Sequence, residues 1–408
     1  MATRMATALV LNKILAVYVG PAGYAVIGQF QNAMAIIITF ASGALNTGVT
    51  KITAENFDDE TRQRALWQTA GTITVCVSTV LSLLIIVFRD YLAEGFLADE
   101  ALSDIFIWLA ISLVFISINA LLLAILNGKK EVGRYVTSNI AGSVLGLIVV
   151  GLLTWQLQLY GALIALSLYQ AVVFFVTLHQ CFKTGWFQIG NLFGRIDKNL
   201  ARALGKFAIM AVTTATVVPL SQVLVRTHLG ENYGWSYAGY WDAIWRISSI
   251  YLTLVTTTLT LYWLPRIAEI RAWPELRREI LQAYKIVVPL AAMAALAIYV
   301  MRDMVIVILF TPDFAPMRDL FAWQMAGDIL KIGSWILAFI MVGKGMTLEF
   351  VVTETFAAAL FWIFAVVLTD VFGFKGVAIA HFCTYLTYWI MVFGATISTK
   401  VRREKLFR

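Results

Sequence analysis

Long runs of apolar residues, separated by short polar breaks, recur along the whole chain and restrict its fold more than any other feature. A membrane-spanning helix needs roughly 20 apolar residues, and the runs are about that long. Only 13% of the 408 residues are charged, against roughly 25% in a typical soluble domain. The pattern excludes a soluble enzyme, a disordered chain and a β-barrel, whose strands alternate apolar and polar residues. The sequence therefore predicts an all-α polytopic membrane protein with about twelve transmembrane helices.

The predicted spans fall into two sets of six, and Lys and Arg lie mainly on one side of them. The spans are 1–19, 24–50, 66–88, 102–127, 133–154, 160–182, 204–228, 236–263, 278–301, 319–343, 347–370 and 374–398. Of the 31 Lys and Arg residues, 22 lie on one side and five on the other, namely Arg89, Arg226, Arg302, Arg318 and Lys375. Because cytoplasmic loops are enriched in Lys and Arg, both termini are predicted to be cytoplasmic. The net charge of +7 is spread over several segments, so we expect no nucleic-acid partner.

Short sequence matches recur at a nearly constant separation of about 215 residues. Ala22-Gly23-Tyr24 returns as Ala238-Gly239-Tyr240, and Gly128-Lys129 returns as Gly343-Lys344. A register shared along the chain indicates an internal duplication. Six spans in each copy give both copies the same orientation, which is a parallel repeat of the kind found in alternating-access transporters. We therefore predict two six-helix bundles related by this repeat.

The domain boundaries follow from the repeat and from the polar breaks. We predict an N-terminal bundle over 1–182, a cytoplasmic linker with an interfacial helix over 183–203, a C-terminal bundle over 204–398 and a basic cytoplasmic tail over 399–408. The repeat places the expected start of the first helix before residue 1, so this helix is expected to be truncated.

Three strings at the edges of predicted spans carry a family resemblance. They are GPAG at 20–23, NTGVTK at 46–51 and MRDLFAWQ at 317–324, the last continued by Gly327-Asp328 and Leu330-Lys331. Together they resemble the Wzx-type flippases for lipid-linked oligosaccharides, including those for O-antigen and enterobacterial common antigen. These flippases belong to the multidrug/oligosaccharidyl-lipid/polysaccharide exporter superfamily.

The resemblance implies a transporter of the bacterial inner membrane and not an enzyme. Its implied substrate is an undecaprenyl-pyrophosphate-linked glycan, moved from the cytoplasmic to the periplasmic leaflet. The polymerase and the chain-length regulator of the same pathway are further candidate partners, beside the lipid bilayer. No cofactor is implied.

Polar residues inside membrane spans are costly and usually face a cavity or a partner, and the second half of the chain is rich in them. The candidate substrate-binding residues are Lys13, Asp242, Arg246, Gln324, Asp328 and Lys331. Helical spacing places Asp242 with Arg246, and Gln324 with Asp328 and Lys331, on single faces. The positions 215 residues earlier are mostly apolar, which indicates that the charges arose after the duplication. Two interpretations stay open, since each face either forms a structural ion pair or lines a substrate cavity.

Other residues suggest coupling and gating. Asp328 and Glu354 are candidate coupling groups, because buried carboxyls can titrate. Pro219 and Pro289 are candidate gating positions, because a proline inside a helix tends to kink it, although static kinking for packing is the alternative. His381 is interpreted as a structural hydrogen-bonding group. The His residues lack ligand spacing and the chain lacks a phosphate-binding loop, so no metal or nucleotide site is expected.

The leading functional hypothesis is a glycolipid flippase that works by alternating access, with cationic side chains balancing the pyrophosphate. One alternative is a cation-coupled multidrug exporter of the same superfamily, against which the paired cations count. Another is a membrane-embedded glycan polymerase or ligase, which needs a large periplasmic loop. The longest predicted outward loop, 302–318, is short.

Overall fold

The computed structural model describes residues 2–270 and 272–396, and this part of the chain contains helices and no strands. The tail predicted over 399–408 lies outside the described residues. The α-helices are α1 (Ala2–Ala41), α2 (Asn46–Glu55), α3 (Glu60–Val87), α4 (Arg89–Leu92), α5 (Asp104–Gly128), α6 (Val132–Phe182), α7 (Lys198–Tyr233), α8 (Trp235–Thr258), α9 (Leu264–Glu269), α10 (Trp273–Val300), α11 (Arg302–Leu309), α12 (Phe321–Gly343), α13 (Thr347–Phe372) and α14 (Gly376–Thr396). The predicted all-α class is confirmed.

Seven helical stretches within the described residues are long and apolar enough to cross a membrane. Three of them have about twice the length of one span, namely Met5–Ala41, Val132–Phe182 and Thr347–Thr396, with 37, 51 and 50 residues. The first two contain a non-helical residue, Gly20 and Gln158 respectively, where one predicted span ends and the next begins. Helices α7 and α8, with 36 and 24 residues, are not among these seven stretches. The chain is a multi-pass membrane protein, and the side on which its termini lie stays a prediction.

The chain divides into two compact units. The first comprises Met1–Val19 and Val26–Pro219, and the second comprises Gly20–Ala25 and Leu220–Arg408. The predicted linker, 183–203, lies inside the first unit. The boundaries drawn from the sequence therefore stay a prediction.

Within the first unit, the segment after α6 packs onto α3. Where an interfacial helix was expected, the segment has only a one-turn 3₁₀ helix, Ile189–Leu192. Thr72 Oγ1 donates to the Gly194 carbonyl at 3.1 Å, and the Asp197 amide donates to Thr69 Oγ1 at 3.0 Å. Gly71 allows this approach, because a Cβ there would lie 2.1 Å from the Leu192 carbonyl oxygen.

The repeat read from the sequence recurs in the backbone of both units. A Cβ on Gly161 would lie 2.0 Å from the Leu153 carbonyl oxygen, and a Cβ on Gly376 would lie 2.0 Å from that of Leu368. Both glycine–carbonyl pairs are separated by the same 215 positions. The turn before each glycine contains a residue with positive φ, Gln158 at 51° and Gly373 at 64°, again 215 positions apart. The two halves thus reverse the chain direction with the same tight turn.

Helix α12 lies in the middle of the second unit. It packs most extensively against α14 and also contacts α8, α10 and α13. Gly327 lets α14 approach closely, because a Cβ there would lie 2.4 Å from His381 Cδ2. Around the C-terminal half of α12, Ile336, Leu337 and Ile340 are buried in an apolar cluster. This packing positions the polar face of α12 against α8 and α14.

Candidate functional site

Asp328 is the centre of a buried hydrogen-bond network in the second unit. Its carboxylate accepts hydrogen bonds from Ser248 Oγ at 2.6 Å and from the Tyr251 hydroxyl at 2.5 Å, both on α8. On α14, His381 Nε2 lies 2.9 Å from Asp328 Oδ1. Asp328 and His381 are both fully buried. Because a buried charge needs partners with good geometry, these donors explain how the membrane interior accommodates the carboxylate.

Gln324 joins the same network one turn earlier on α12. Its Nε2 atom lies 3.2 Å from Ser248 Oγ, 3.5 Å from Asp328 Oδ1 and 3.3 Å from His381 Nε2. Its Oε1 atom is buried and has no hydrogen-bond partner within the described part of the chain. Gln324 therefore keeps one acceptor that no described residue uses.

Lys331 lies on the same face of α12 but is held by aromatic rings. Its ammonium is 4.7 Å from the ring centroid of Trp245, 4.8 Å from that of Tyr385 and 5.1 Å from that of Trp335. The residue is 8% exposed. Among the ion pairs of the described residues, Asp328 pairs with His381 and none involves Lys331. The Asp328–Lys331 pair considered in the sequence analysis is thus replaced by an aromatic cage.

Glu354, on α13, is partly buried in the same unit. It accepts a hydrogen bond from the hydroxyl of Tyr388 on α14. This pairing ties α13 to α14.

Asp242 belongs to a second buried cluster, in which it lies between two arginines. Arg226 Nη2 donates to it at 2.7 Å and Arg246 Nε donates at 2.9 Å. The Arg246 guanidinium also lies 4.6 Å from the ring of Tyr24. The Asp242–Arg246 pair exists as expected, but Arg226 is a further partner. Arg226 was expected at the membrane rim, whereas its side chain is 2% exposed.

A cavity of about 160 Å³ lies between α8 and α12. Gln324, Lys331 and Trp335 line it from α12, and residues of α8 that include Trp245, Ser248 and Thr253 line it from the other side. The face of α12 predicted from its spacing therefore borders an open space through Gln324 and Lys331. Asp328 lies behind Ser248 and does not line the cavity, and Asp242 and Arg246 are not among its lining residues.

The other predicted residues lie elsewhere. Lys13 is half-buried in α1, in the first unit. Pro219 lies within α7 at the end of the first unit, and Pro289 is exposed within α10. Their proposed roles in substrate binding and gating stay predictions. Across the residues that the structure describes, no group of three His, Cys, Asp or Glu side chains is placed to hold a metal ion.

Sequence reasoning missed the α8 side of the site. Ser248 and Tyr251 bind Asp328, and Trp245 contacts both Lys331 and His381, whose ring centroid is 5.3 Å away. Their spacing on α8 puts Trp245 and Ser248 on one face, which is the signal that was available. It was weak, because Ser and aromatic residues are common in membrane helices.

The chemistry of the site combines one buried cation with hydrogen-bonding groups beside an aromatic-walled space. Cation–π contacts at desolvated sites contribute roughly 2 kcal/mol or more, but the rings carry no net charge. The Lys331 ammonium can therefore still attract an anion that enters the cavity. A phosphate group and a carboxylate are both anions that the ammonium could attract.

Comparison with known proteins finds a matching family and relatives that span nearly the full chain. The profile of a family described as "Polysaccharide biosynthesis protein" matches residues 14–319. The chain is 28% identical over 392 residues to the lipid III flippase of Escherichia coli (strain K12), covering 96% of this chain and 94% of that protein.

Solved structures show the same fold at low sequence identity. An inward-facing multidrug resistance MATE family transporter of the MOP superfamily superposes with a TM-score of 0.77 at 15% identity, over 99% of this chain and 94% of that chain. The lipid II flippase MurJ in an inward closed conformation superposes with a TM-score of 0.75 at 14% identity, over 99% and 89%. The family resemblance noted in the sequence is confirmed, and the named relatives are transporters and not enzymes.

Proposed function

This chain belongs to the polysaccharide biosynthesis protein family, and we propose that it flips a lipid-linked oligosaccharide across the bacterial inner membrane. The proposed substrate is an undecaprenyl-pyrophosphate-linked repeat unit of the O-antigen or enterobacterial common antigen type. It would move from the cytoplasmic to the periplasmic leaflet. The similarity to a lipid III flippase over nearly the full length of both chains supports this class of substrate.

The observation that carries the proposal is Lys331 at the wall of the α8–α12 cavity. A buried ammonium usually pairs with a carboxylate, because leaving water is costly for a charge. Lys331 makes no direct ion pair among the described residues, although its charge interacts with that of Glu354 at longer range; it contacts three aromatic rings and borders an open space. The arrangement leaves the cation available to the pyrophosphate of a lipid-linked sugar.

The same arrangement disfavours a multidrug exporter of cationic compounds. An aromatic cage is a good site for a cationic ligand, but this one already holds the ammonium of Lys331. A second cation in the cavity would be repelled by the first. An anionic headgroup would instead be attracted by the ammonium of Lys331.

The test is complementation of a flippase-deficient strain, with glycan export normalised to protein abundance in the membrane. Lys331→Ala should abolish export, because the only change is the loss of the cation facing the cavity. Lys331→Arg should retain partial export, because the charge remains while the geometry differs. Asp328→Asn tests whether the carboxylate carries a proton during transport or only accepts hydrogen bonds from its neighbours. Severe loss of export with normal abundance would indicate a proton carrier.

A matched control is Lys375→Ala, which removes a lysine that is 55% exposed and paired with Asp319. It should export normally, because exposed ion pairs contribute little. Normal export by Lys331→Ala at normal abundance would reject the proposed site. Loss of the Lys331→Ala protein from the membrane would favour a purely structural role for the lysine.

A further inference from the structure

The α8–α12 cavity has the chemical character of a sugar site as well as that of an anion site. Trp245 and Trp335 lie on its α8 and α12 sides respectively, with the Lys331 ammonium near both rings. The rest of the lining is mainly hydroxyl and amide groups, with Leu252 as the aliphatic exception. Phosphate binding needs only cations and donors, so the two indole rings require a separate explanation.

The hydroxyl groups of the lining are oriented so that they offer acceptors. Ser249 Oγ donates to the Arg246 carbonyl at 2.8 Å, Thr253 Oγ1 donates to the Ser249 carbonyl at 2.6 Å, and Thr256 Oγ1 donates to the Leu252 carbonyl at 3.2 Å. Each hydroxyl proton is thus used by the helix, and each oxygen keeps its lone pairs. The cavity therefore presents several acceptors, which suit a ligand that is rich in hydroxyl donors.

We propose that this cavity binds the sugar directly attached to the pyrophosphate, with Trp335 and Trp245 packing on the sugar ring and Lys331 binding the adjacent phosphate. The assignment rests on the proposed function. The C–H groups of a pyranose are weakly positive and pack on the negative faces of aromatic rings. The hydroxyl groups of the same ring point outward from its edge toward the acceptors.

The aromatic cage implies that the phosphate binds before the sugar packs on the rings. In the empty site, the faces of Trp245 and Trp335 contact the Lys331 ammonium. A phosphate attracts the ammonium more strongly than the rings do, because it carries net negative charge and accepts charge-assisted hydrogen bonds. Movement of the ammonium toward the phosphate uncovers the ring faces, and the sugar then packs on them. Phosphate binding therefore prepares the surface that recognises the sugar.

The size of the cavity limits the contact to one sugar. Pockets that enclose a drug-sized ligand are roughly 300–1,000 Å³, and this cavity is about 160 Å³. A single ring fits that space, whereas the remaining sugars of a repeat unit must lie outside it. Trp335 and Trp245 are accordingly specificity-determining residues for the first sugar only.

The experiment compares two ligands on purified protein in nanodiscs. The probes are a short-chain polyprenyl diphosphate and the same lipid carrying one N-acetylglucosamine or one glucose on the diphosphate. The wild type should bind the sugar-bearing probes more tightly than the sugar-free one. Trp335→Leu should weaken binding of the sugar-bearing probes about tenfold and leave the sugar-free diphosphate nearly unchanged. Lys331→Gln should weaken all probes.

Two further variants make the result decisive. Trp335→Phe keeps an aromatic face and should retain most of the sugar preference. Trp323→Leu removes a tryptophan of the same helix that packs on Phe382 and does not line the cavity, so it should behave as the wild type. Each variant is accepted only if its melting temperature stays near that of the wild type, and Trp245→Leu, which removes the other ring of the proposed sugar site and should also lose the sugar preference, replaces Trp335→Leu if the latter unfolds.

The remaining outcomes separate the inference from the proposed function. Equal weakening of all probes by Trp335→Leu would show that the ring only positions Lys331, and equal wild-type affinity for all probes would show that the cavity does not sense the sugar. Either result overturns the sugar site and leaves the flippase proposal intact. Failure of the wild type to bind any polyprenyl diphosphate would reject both.

Discussion

Equivalent positions of the two units are buried alike but differ in chemistry. In the second unit, Gln324, Asp328 and His381 are fully buried and form a polar network. The positions 215 residues earlier are Leu109, Leu113 and Leu166, which are 0%, 0% and 4% exposed. The same helical framework therefore packs with apolar or with polar side chains at these positions.

The difference separates what the fold requires from what it merely tolerates. Apolar side chains in the first unit satisfy the packing at lower cost, because a buried polar network is rarely more stable than hydrophobic residues of similar volume. The network in the second unit consequently needs a reason other than stability. We attribute it to the proposed substrate site, whose cavity Gln324 and Lys331 line.

The largest expected effect comes from replacing the whole polar network with apolar residues, using the leucines of the first unit at positions 324, 328 and 381. A fivefold variant would carry the substitutions Ser248→Ala, Tyr251→Phe, Gln324→Leu, Asp328→Leu and His381→Leu. It should stay folded, with unfolding stability equal to or above that of the wild type, because the whole network is replaced at once. It should lose glycan export completely, although Lys331 and the cavity tryptophans remain. Export at the wild-type level would contradict the comparison and make the network a neutral relic of evolution.

A smaller effect is expected when only one member of the network is replaced. Asp328→Leu removes the acceptor shared by Ser248, Tyr251 and His381, and should lower the free energy of unfolding by about 3–5 kcal/mol. Leu113→Met, at the equivalent position of the first unit, should cost less than about 1.5 kcal/mol. Denaturant titration in mixed micelles measures both. Similar losses of unfolding free energy for the two variants would mean that the polar and the apolar site tolerate substitution equally well.

The smallest effect concerns the turns that the two units share. Gln158 has φ 51° and ψ −128°, and Gly373 at the equivalent position has φ 64° and ψ −155°. A side chain is strained in such a conformation by about 1–3 kcal/mol. Gln158→Gly should therefore raise the melting temperature, and Gly373→Gln should lower it. Changes in the same direction for both would show that the two turns are not equivalent.

Much of the fold was predictable because it depends on local pattern. Apolar runs predicted the helices. Matched strings such as Gly128-Lys129 and Gly343-Lys344 indicated the repeat. The face formed by Gln324 and Lys331 followed from helical spacing alone. Local pattern does not reveal which helices are neighbours, and this limits the sequence-based account of the site. His381, which lies 53 residues from Asp328 in sequence, took the place assigned to Lys331.

The aromatic cage was hidden from the sequence for the same reason. Trp245, Trp335 and Tyr385 come from three helices and meet only at the Lys331 ammonium. Singly, each looks like a packing or interfacial aromatic residue. Arg226 was also misplaced, because its position near a span end suggested the rim, whereas its partner Asp242 holds it inside.

The segment that packs onto α3 has a consequence for the synthesis of the protein. Thr72 is bonded to Gly194, which follows it by 122 residues. Ribosomes add roughly 5–20 residues per second, so α3 waits on the order of 10 seconds after its own translation for this contact. During that interval three further predicted spans must enter the membrane. The surface of α3 around Gly71 lacks the cover of the Leu192–Gly194 segment until that segment has been made.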